Sequence, residues 1–289
     1  MFWQKQWFRK VIGFSVLVLP LAFYGWRISL RPPLTEIKQE IIPAIVYQRR
    51  TFQVPRPYIV HLVEIDLSEP NLKPIVTEPF NSIDTRALTT SQFVRQNQLV
   101  LAVNGSFFAP FQERTPWNYR PKTGDLTKAL GEQISNGRRY SWATKTWRVL
   151  CFDQTNQAQI LDQDSCPEAT VQGIAGKEIL VKDGKSVVDY DSPAYSRNAV
   201  GTNKKGDRLW LILVDGKQPF YSEGVTQAEL AQIGIDLGCD RVLNLDGGGS
   251  VTLAVRQGEQ VNVLNAPIHT KIPMRERPVA NHLGFKVRP

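Results

Sequence analysis

The stretch Leu243-Asn244-Leu245-Asp246-Gly247-Gly248-Gly249-Ser250-Val251 is the most informative part of this 289-residue chain. An apolar strand ends in a carboxylate, and three successive glycines precede the next apolar strand. Three glycines exceed what a hairpin turn needs, and each of them loses conformational entropy on folding. Consecutive backbone N–H groups in such a turn form a concave site for an anion, and a carboxylate at its edge can donate a proton. We therefore expect a functional loop between two strands.

A second strand ends on a polar residue in the run Ala102-Val103-Asn104-Gly105-Ser106-Phe107-Phe108. Around these two runs, short stretches rich in β-branched residues predict strands, beginning with 58–67 and its partner 72–77. Thr-capped amphipathic patterns predict helices at 89–98 and 226–237. Many strands and few helices predict an α+β fold with a mixed, mostly antiparallel sheet. Further strands are expected at 99–103, 147–152, 159–161, 171–174, 178–181, 186–188, 199–202, 208–214, 241–245, 251–255 and 279–287.

The beginning of the chain differs from the rest. Residues 1–10 are basic, and an uncharged stretch follows within 11–27. We expect residues 11–27 to be an uncleaved signal anchor or transmembrane helix, because no small-x-small cleavage site follows as in a signal peptide. The leading positive charge keeps residues 1–10 in the cytoplasm and places the body in the periplasm or at the cell surface. The proline-rich residues 28–57 are predicted to be a linker, and 58–289 a single catalytic domain.

Charge and cysteines agree with this arrangement. The net charge is +8, but five of the excess cations lie within residues 1–31, so a nucleic-acid partner is not expected. Cys151 and Cys166 flank a polar, turn-like stretch and are predicted to form a disulfide in an oxidising compartment. Cys239 precedes an apolar strand and is expected to be a small buried residue.

Common catalytic signatures are absent from the sequence, which contains no HExxH, no GxSxG and no Walker A motif. The chain resembles the phosphodiester glycosidase family instead. The resemblance lies in Asn104-Gly105-Ser106-Phe107-Phe108 and Asn244-Leu245-Asp246-Gly247-Gly248-Gly249-Ser250. Three further blocks keep the family's order: Arg197-Asn198-Ala199-Val200-Gly201, Val214-Asp215-Gly216 followed by Gly224-Val225-Thr226, and Arg277-Pro278-Val279-Ala280-Asn281.

The resemblance implies hydrolysis of the glycosidic bond of a sugar 1-phosphodiester in a glycan or envelope polymer. Such a reaction passes through an oxocarbenium-like state and needs a carboxylate. Asp246 is the first candidate for that carboxylate, with Asp215 or Glu223 second, and Asn104 is expected to bind a sugar hydroxyl or position water. The expected substrate- or phosphate-binding residues are Arg197, Gly247, Gly248, Gly249, Ser250, Arg277 and Asn281.

Several alternatives stay open at this point. The chain could be a non-catalytic protein that binds an envelope glycan or anionic polymer, or a phosphodiesterase that breaks the P–O bond. No cofactor is certain; a divalent metal ion at Asp246 is an alternative for which the sequence offers no ligand set. Ser106 replaces the family's second glycine, and 109–147 departs from the family's pattern. We expect the irregular residues 109–145 to form a lid or wall beside the site, or else a mobile loop.

Overall fold

The computed structural model describes residues 19–288 of the chain. This part contains three α-helices, which are α1 (residues 19–29), α2 (Thr90–Asn97) and α3 (Gln227–Asp236). Its strands are β1 (Ile37–Ile42), β2 (Ile45–Phe52), β3 (Tyr58–Asp66), β4 (Leu72–Val76), β5 (Thr85–Arg86), β6 (Leu101–Asn104), β7 (Phe108–Ala109), β8 (Gln112–Glu113), β9 (Tyr119–Arg120), β10 (Leu126–Ala129), β11 (Gln133–Ser135), β12 (Arg138–Ser141), β13 (Arg148–Phe152), β14 (Ala158–Leu161), β15 (Gln172–Gly176), β16 (Ile179–Lys182), β17 (Lys185–Ser186), β18 (Arg197–Thr202), β19 (Arg208–Val214), β20 (Arg241–Asn244), β21 (Leu253–Gln257), β22 (Gln260–Val263), β23 (Ile268–His269), β24 (Ile272–Pro273) and β25 (His282–Val287).

Three sheets build the body. The largest has eight strands in the order β1-β2-β3-β19-β18-β20-β16-β17, and two five-stranded sheets have the orders β12-β11-β15-β13-β14 and β22-β21-β6-β25-β4. Smaller sheets join β5-β10-β7, β8-β9 and β23-β24. Within residues 19–288 every pair of named strands is antiparallel, so the sheets are antiparallel rather than mixed, and the α+β fold is richer in strands than in helices.

The largest sheet is buried on both faces, which follows from side-chain alternation along its strands. In β3, Val63 and Ile65 belong to a central core shared with both five-stranded sheets, whereas Val60 and Leu62 belong to a second core on the other face. Leu230 of α3 covers that second core. The capping boxes predicted for the helices are present at Thr89 in α2 and Thr226 in α3.

The expected linker at 28–57 is wrong, because this segment contains β1 and β2 of the largest sheet. Ile45 and Tyr47 are fully buried in the central core and alternate with less buried residues. The four prolines that suggested a linker lie outside both strands, at their ends. The folded body therefore begins before residue 58.

The expected pairing of 72–77 with the preceding strand is also wrong. The two edges of β3 are occupied by β2 and β19, so no edge is left for β4. Instead β4 pairs with β25, the last strand, with Val76 opposite Leu283.

The expected anchor at 11–27 falls partly outside the described residues, as do all of residues 1–10. Residues 19–29 are helical, and Arg27 Nε donates a 2.8 Å hydrogen bond to the carbonyl of Pro273. No helix within residues 19–288 has both the length and the apolar character needed to cross a membrane.

The cysteines behave as predicted. Cys151 of β13 is bonded to Cys166 in the loop that precedes β15. Cys239 is a buried thiol behind β18, and burial raises its pKa to about 12. It is therefore a packing residue rather than a reactive thiol.

Candidate active site

Two sheets meet where β6 and β20 end. The backbone N–H of Asp246, just after β20, donates a 3.0 Å hydrogen bond to the carbonyl of Gly105, just after β6. On the other side of β20, Leu245 N donates to Asn198 O in β18. The two polar strand ends found in the sequence, Asn104 and Asp246, are thereby brought to one place.

The glycine loop that follows Asp246 requires each of its three glycines for a different reason. A Cβ on Gly247 would lie 2.7 Å from the carbonyl oxygen of Ser196, and one on Gly249 would lie 2.5 Å from an Arg277 guanidinium nitrogen. Gly248 has a φ of +62°, and a Cβ there would lie 2.8 Å from the Tyr195 ring. The loop is therefore a tightly packed short 3₁₀ turn rather than a plain hairpin turn.

The loop lines a cavity of about 570 Å³. Phe107, Phe108, Phe111 and Leu130 form much of its apolar wall. Its charged lining residues are Glu113, Lys177, Glu178, Arg197, Lys217, Asp246 and Arg277. A concave site with an apolar wall and a few convergent charged groups is typical of a ligand-binding or catalytic site.

Asp246 has a perturbed acidity. Burial raises the pKa of its carboxyl to about 6, although a hydrogen bond with Ser250 and the charge of Arg277 oppose the shift. A carboxyl with a pKa near 6 is protonated often enough near neutral pH to donate a proton. Among the predicted residues, Asp246 thus has both the position and the acidity of an acid catalyst.

Arg277 is held in place rather than left open to a ligand. Its guanidinium is ion-paired with Glu113, donates 3.1 Å to Ser250 Oγ and faces His269 Nδ1 at 3.2 Å. It also lies over the Phe111 ring, 4.6 Å from the centroid. Of these two predicted residues, Arg277 lines the cavity and Ser250 supports it. A hydrogen bond joins their side chains.

Three other cations line the cavity. Lys177 and Lys217 are exposed, and Arg197 is half-buried. Lys217 Nζ lies 4.2 Å from the Tyr195 ring centroid, and Arg197 donates to the carbonyls of Val225 and Pro193. Across residues 19–288 none of these three cations forms an ion pair with a carboxylate. Their positive charge is available to an anionic ligand.

A second carboxylate, Glu178, lines the same cavity and directly precedes β16. Its Oε1 accepts a hydrogen bond from the side-chain amide of Gln227 and another of 2.8 Å from that of Asn244. Asn244 is the last residue of the neighbouring strand β20, and Asp246 follows it by two residues. Two amide donors therefore fix the Glu178 carboxylate close to the glycine loop.

Asn104 lies beneath the loop and not in the cavity. It is fully buried, its Nδ2 donates 2.7 Å to the carbonyl of Asp246, and its Oδ1 accepts from Asn198 Nδ2 and Thr252 N. The expectation that it binds a sugar hydroxyl or water is wrong, because its amide is used within the protein. Its side chain instead holds the backbone of Asp246 and of Thr252, one at each end of the glycine loop.

Asn281 is also buried away from the cavity lining. Its Oδ1 accepts a 2.9 Å hydrogen bond from Ser106 N, and its Nδ2 donates to Gln133. The side chain of Asn281 is therefore bonded within the protein instead of to substrate. It fixes the chain at Ser106, just after Asn104 ends β6.

The two second-choice carboxylates do not reach the cavity. Asp215 is 1% exposed and bonds to His61 Nε2, Asn265 Nδ2 and the backbone N–H of Ala266. Glu223 is exposed at the surface and is not part of the lining. Asp215 belongs to one of the resembling blocks and Glu223 lies between its two parts, but neither residue lines the cavity.

Several lining residues were not foreseen from the sequence, namely Glu113, Lys177, Glu178, Tyr195, Lys217 and Gln227. Phe111 and Glu113 belong to the irregular segment expected to form a wall, and that segment does contribute to the cavity. Glu178 opens a strand that the sequence predicts, but its nearness to Asp246 depends on β16 pairing with β20, which no local pattern indicates.

In the part of the chain that the structure describes, no three His, Cys, Asp or Glu side chains are grouped as metal ligands. Asp246 has the cations Arg277 and Lys217 as charged neighbours.

Comparison with known proteins places the site in context. The sequence model of the phosphodiester glycosidase family matches residues 97–286. N-acetylglucosamine-1-phosphodiester alpha-N-acetylglucosaminidase of Bos taurus is 25% identical over 204 residues, which are 61% of this chain and 35% of the length of that relative. Asn104, Asp246 and Arg277 all lie within the range that the family model matches.

Two solved structures share the fold. The catalytic domain of the zebrafish enzyme of the same name, auto-inhibited by its pro-peptide, matches with a TM-score of 0.62 and 18% identity over 91% of this chain and 93% of that domain. A hypothetical protein from Synechocystis matches with a TM-score of 0.55 and 16% identity over 89% of this chain and 64% of that one. At these identities the two structures show a shared fold and nothing further.

Proposed function

Because this chain belongs to the phosphodiester glycosidase family, we propose that it hydrolyses the glycosidic C–O bond of a sugar 1-phosphodiester in an extracytoplasmic glycan or envelope polymer. Family membership confirms the resemblance predicted from the sequence and supports the proposed class of enzyme, a hydrolase of the glycosidase type. The observation that carries the finer proposal is Asp246, a carboxyl with a pKa of about 6 on a rigid glycine loop in a cavity lined by unpaired cations.

In the proposed reaction, water adds to the anomeric carbon while the C–O bond to phosphate breaks. The products are the free sugar and a phosphate monoester. Asp246 in its protonated form donates its proton to the departing phosphate oxygen and accepts one from water when the site is restored. The second pKa of a phosphate monoester is about 6, close to that of Asp246, which suits proton transfer between them.

The Glu178 carboxylate is the second group of the reaction. Glycosidases use a pair of carboxyl groups, one as the acid and one as the base or nucleophile. Glu178 shares the cavity with Asp246 and is oriented by Gln227 and Asn244. Glu178 therefore takes the role of the second carboxyl group, because Asp215 and Glu223 do not line the cavity.

The phosphate is bound by Arg197 and Lys217. The Arg197 backbone lies beside Gly247 and this residue lines the cavity, while Lys217 is close enough to lower the pKa of Asp246 by its charge. The backbone N–H of Gly248 is not available, because it donates to Ser196 O at 2.9 Å. Arg277 supports the loop from below through Ser250 rather than binding the phosphate directly.

The body of the protein is proposed to work outside the cytoplasm. The disulfide between Cys151 and Cys166 supports this location, because disulfides persist mainly in oxidising compartments. The basic residues 1–10 and the apolar stretch behind them would provide the membrane anchor. Protease accessibility of the body in intact cells or spheroplasts tests the location, and protection of the whole chain would contradict it.

The activity is tested with the full-length protein and a panel of sugar 1-phosphodiesters, with and without a chelator. Free sugar and phosphate monoester are scored in ¹⁸O-labelled water. We expect label in the sugar, and loss of release in Asp246→Asn but not in the matched surface variant Asp183→Asn. Label in the phosphate would mean that the P–O bond is cleaved and that the enzyme is a phosphodiesterase. Tight binding of a substrate without release of sugar would favour the glycan-binding alternative.

A further inference from the structure

The hairpin of β8 and β9 contributes to two cavities. Through Phe111 and Glu113 it lines the active-site cavity. Its turn and second strand line another groove of about 340 Å³, together with the chain that follows. The residues of this second groove are Trp117, Asn118, Tyr119, Arg120, Lys122 and Asp125.

The composition of the second groove is that of a carbohydrate-binding surface. Trp117 is 76% exposed and lies among the polar residues that line the groove, so its ring can be reached by a ligand there. The C–H groups of a pyranose pack against an aromatic ring, and hydroxyl groups bond to the polar residues around it. Asn118, Arg120 and Lys122 supply donors, and the Asp125 carboxylate supplies an acceptor.

The groove is fixed relative to the active-site cavity. Arg275 donates 2.7 Å to the carbonyl of Pro116 and 3.0 Å to the hydroxyl of Tyr119. The Tyr119 ring stands edge-on to His269, with the centroids 4.6 Å apart, and Glu113 is ion-paired with Arg277. A groove held in this way binds without the entropy of ordering a loop.

We propose that this groove is a second carbohydrate-binding site, which holds a distal part of the glycan chain whose sugar phosphodiester is cleaved in the main cavity. The inference rests on the proposed function, because the occupant is the aglycone of that substrate. Continuity favours a glycan over other polymers: one rigid hairpin, flanked by Phe111, carries residues of both cavities. A single-stranded nucleic acid is the other polymer that aromatic and basic residues can bind, and it is an outcome of the test.

The chain offers a matched control for the tryptophan. Trp142 is 71% exposed, nearly as much as Trp117, but it lines neither cavity. Full-length wild type, Trp117→Ala and Trp142→Ala are compared by calorimetric titration with a neutral mannose tetrasaccharide, an acidic hyaluronan tetrasaccharide and a thymidine tetranucleotide. We expect at least one tetrasaccharide to bind to wild type and Trp142→Ala, and about tenfold more weakly to Trp117→Ala.

Kinetics provide the second readout. For a sugar 1-phosphodiester, kcat/KM is measured with a methyl aglycone and with a tetrasaccharide aglycone. Trp117→Ala is expected to lower the value for the tetrasaccharide substrate alone. Equal tetrasaccharide binding in both variants, no tetrasaccharide binding by wild type, or preference for the tetranucleotide would overturn the second site. Failure of wild type to cleave the methyl substrate would instead contradict the proposed function, because the titration measures the groove without turnover.

Discussion

The side-chain amide of Asn104 donates a 2.7 Å hydrogen bond to the backbone carbonyl of Asp246. Asn104 ends a strand of one sheet and Asp246 follows a strand of another, so this bond ties two sheets together at the floor of the cavity. The Oδ1 of Asn104 also accepts from Thr252 N, on the far side of the glycine loop. One buried side chain thus holds the loop at both of its ends.

Asn104→Ala should lower kcat strongly with little change in KM, because Asp246 loses its fixed position while the cavity lining stays. It should also reduce the free energy of unfolding by about 2–4 kcal/mol, since several buried groups lose their partner. Urea unfolding and steady-state kinetics measure both effects. Asn262→Ala, which removes a hydrogen bond in a surface hairpin, is the control and should leave kcat unchanged. If Asn104→Ala raised KM and left kcat unchanged, the residue would be assigned to substrate binding instead.

Activity should fall as the pH rises through about 6. The pKa of Asp246 is raised from 3.8 to about 6 by burial, and the proposed acid works only while protonated. A pH profile of kcat for wild type measures this fall. A kcat that stays constant between pH 5 and pH 8 with chemistry limiting would remove Asp246 from the role of acid.

The same shift predicts a change in stability. For an acid whose folded pKa is raised, the stabilisation is complete below about pH 4 and is lost as the pH rises towards 6. Asp246→Asn should therefore gain stability relative to wild type across that interval. Denaturant unfolding of both proteins at pH 4, 5, 6 and 7 measures the difference, which should level off above pH 7. A constant difference at all four values would mean that the carboxyl is not desolvated in the folded protein.

The sequence predicts α2, α3 and strands such as β3, β19 and β20, because their side-chain patterns and Thr caps are local signals, but it misses β1 and β2, which it assigns to a linker. It also identifies Asp246 and the glycine loop, because three glycines have no purpose in an ordinary turn. What it misses depends on strand order. Glu178 reaches the site only because β16 pairs with β20, and Asn104 is buried only because two sheets close over it. Neither contact has a signature in the residues beside it.

Glu178→Gln should reduce kcat about 10²–10⁴-fold, the range typical of a lost acid–base group, and leave KM within a few-fold. The amide preserves the shape of the side chain, so the hydrogen bonds from Gln227 and Asn244 are the main structural change. Glu259→Gln, in the exposed hairpin turn between β21 and β22, is the matched control. Turnover that survives in Glu178→Gln would assign this carboxylate to positioning of the sugar.

Gly248 and Gly258 provide a test of the loop with the backbone strain held equal. Their φ angles are +62° and +61°, so alanine at either position should cost about 1–2 kcal/mol of backbone energy. A Cβ at Gly258 meets no atom within 4 Å, whereas one at Gly248 lies 2.8 Å from the Tyr195 ring. Gly248→Ala should therefore destabilise the protein further and abolish turnover, while Gly258→Ala keeps its kcat. Similar losses in both variants would mean that strain alone, and not packing against Tyr195, matters.

Glu113 should stabilise the protein in the pH direction opposite to that of Asp246. Contacts with His269 and Arg277 lower the pKa of Glu113 from 4.5 to about 2. The stabilisation is therefore complete above about pH 4.5 and is lost as the pH falls towards 2. Glu113→Gln should be less stable than wild type at pH 6, and the difference should shrink at pH 4 and pH 3. Urea unfolding measures it, with Glu259→Gln as a control whose difference from wild type stays small at each pH.

Because Glu113 ties the β8–β9 hairpin to Arg277, Glu113→Gln should also speed proteolysis within 109–145 at pH 6. Unchanged cleavage there would show that the contacts of Arg275 alone hold the hairpin.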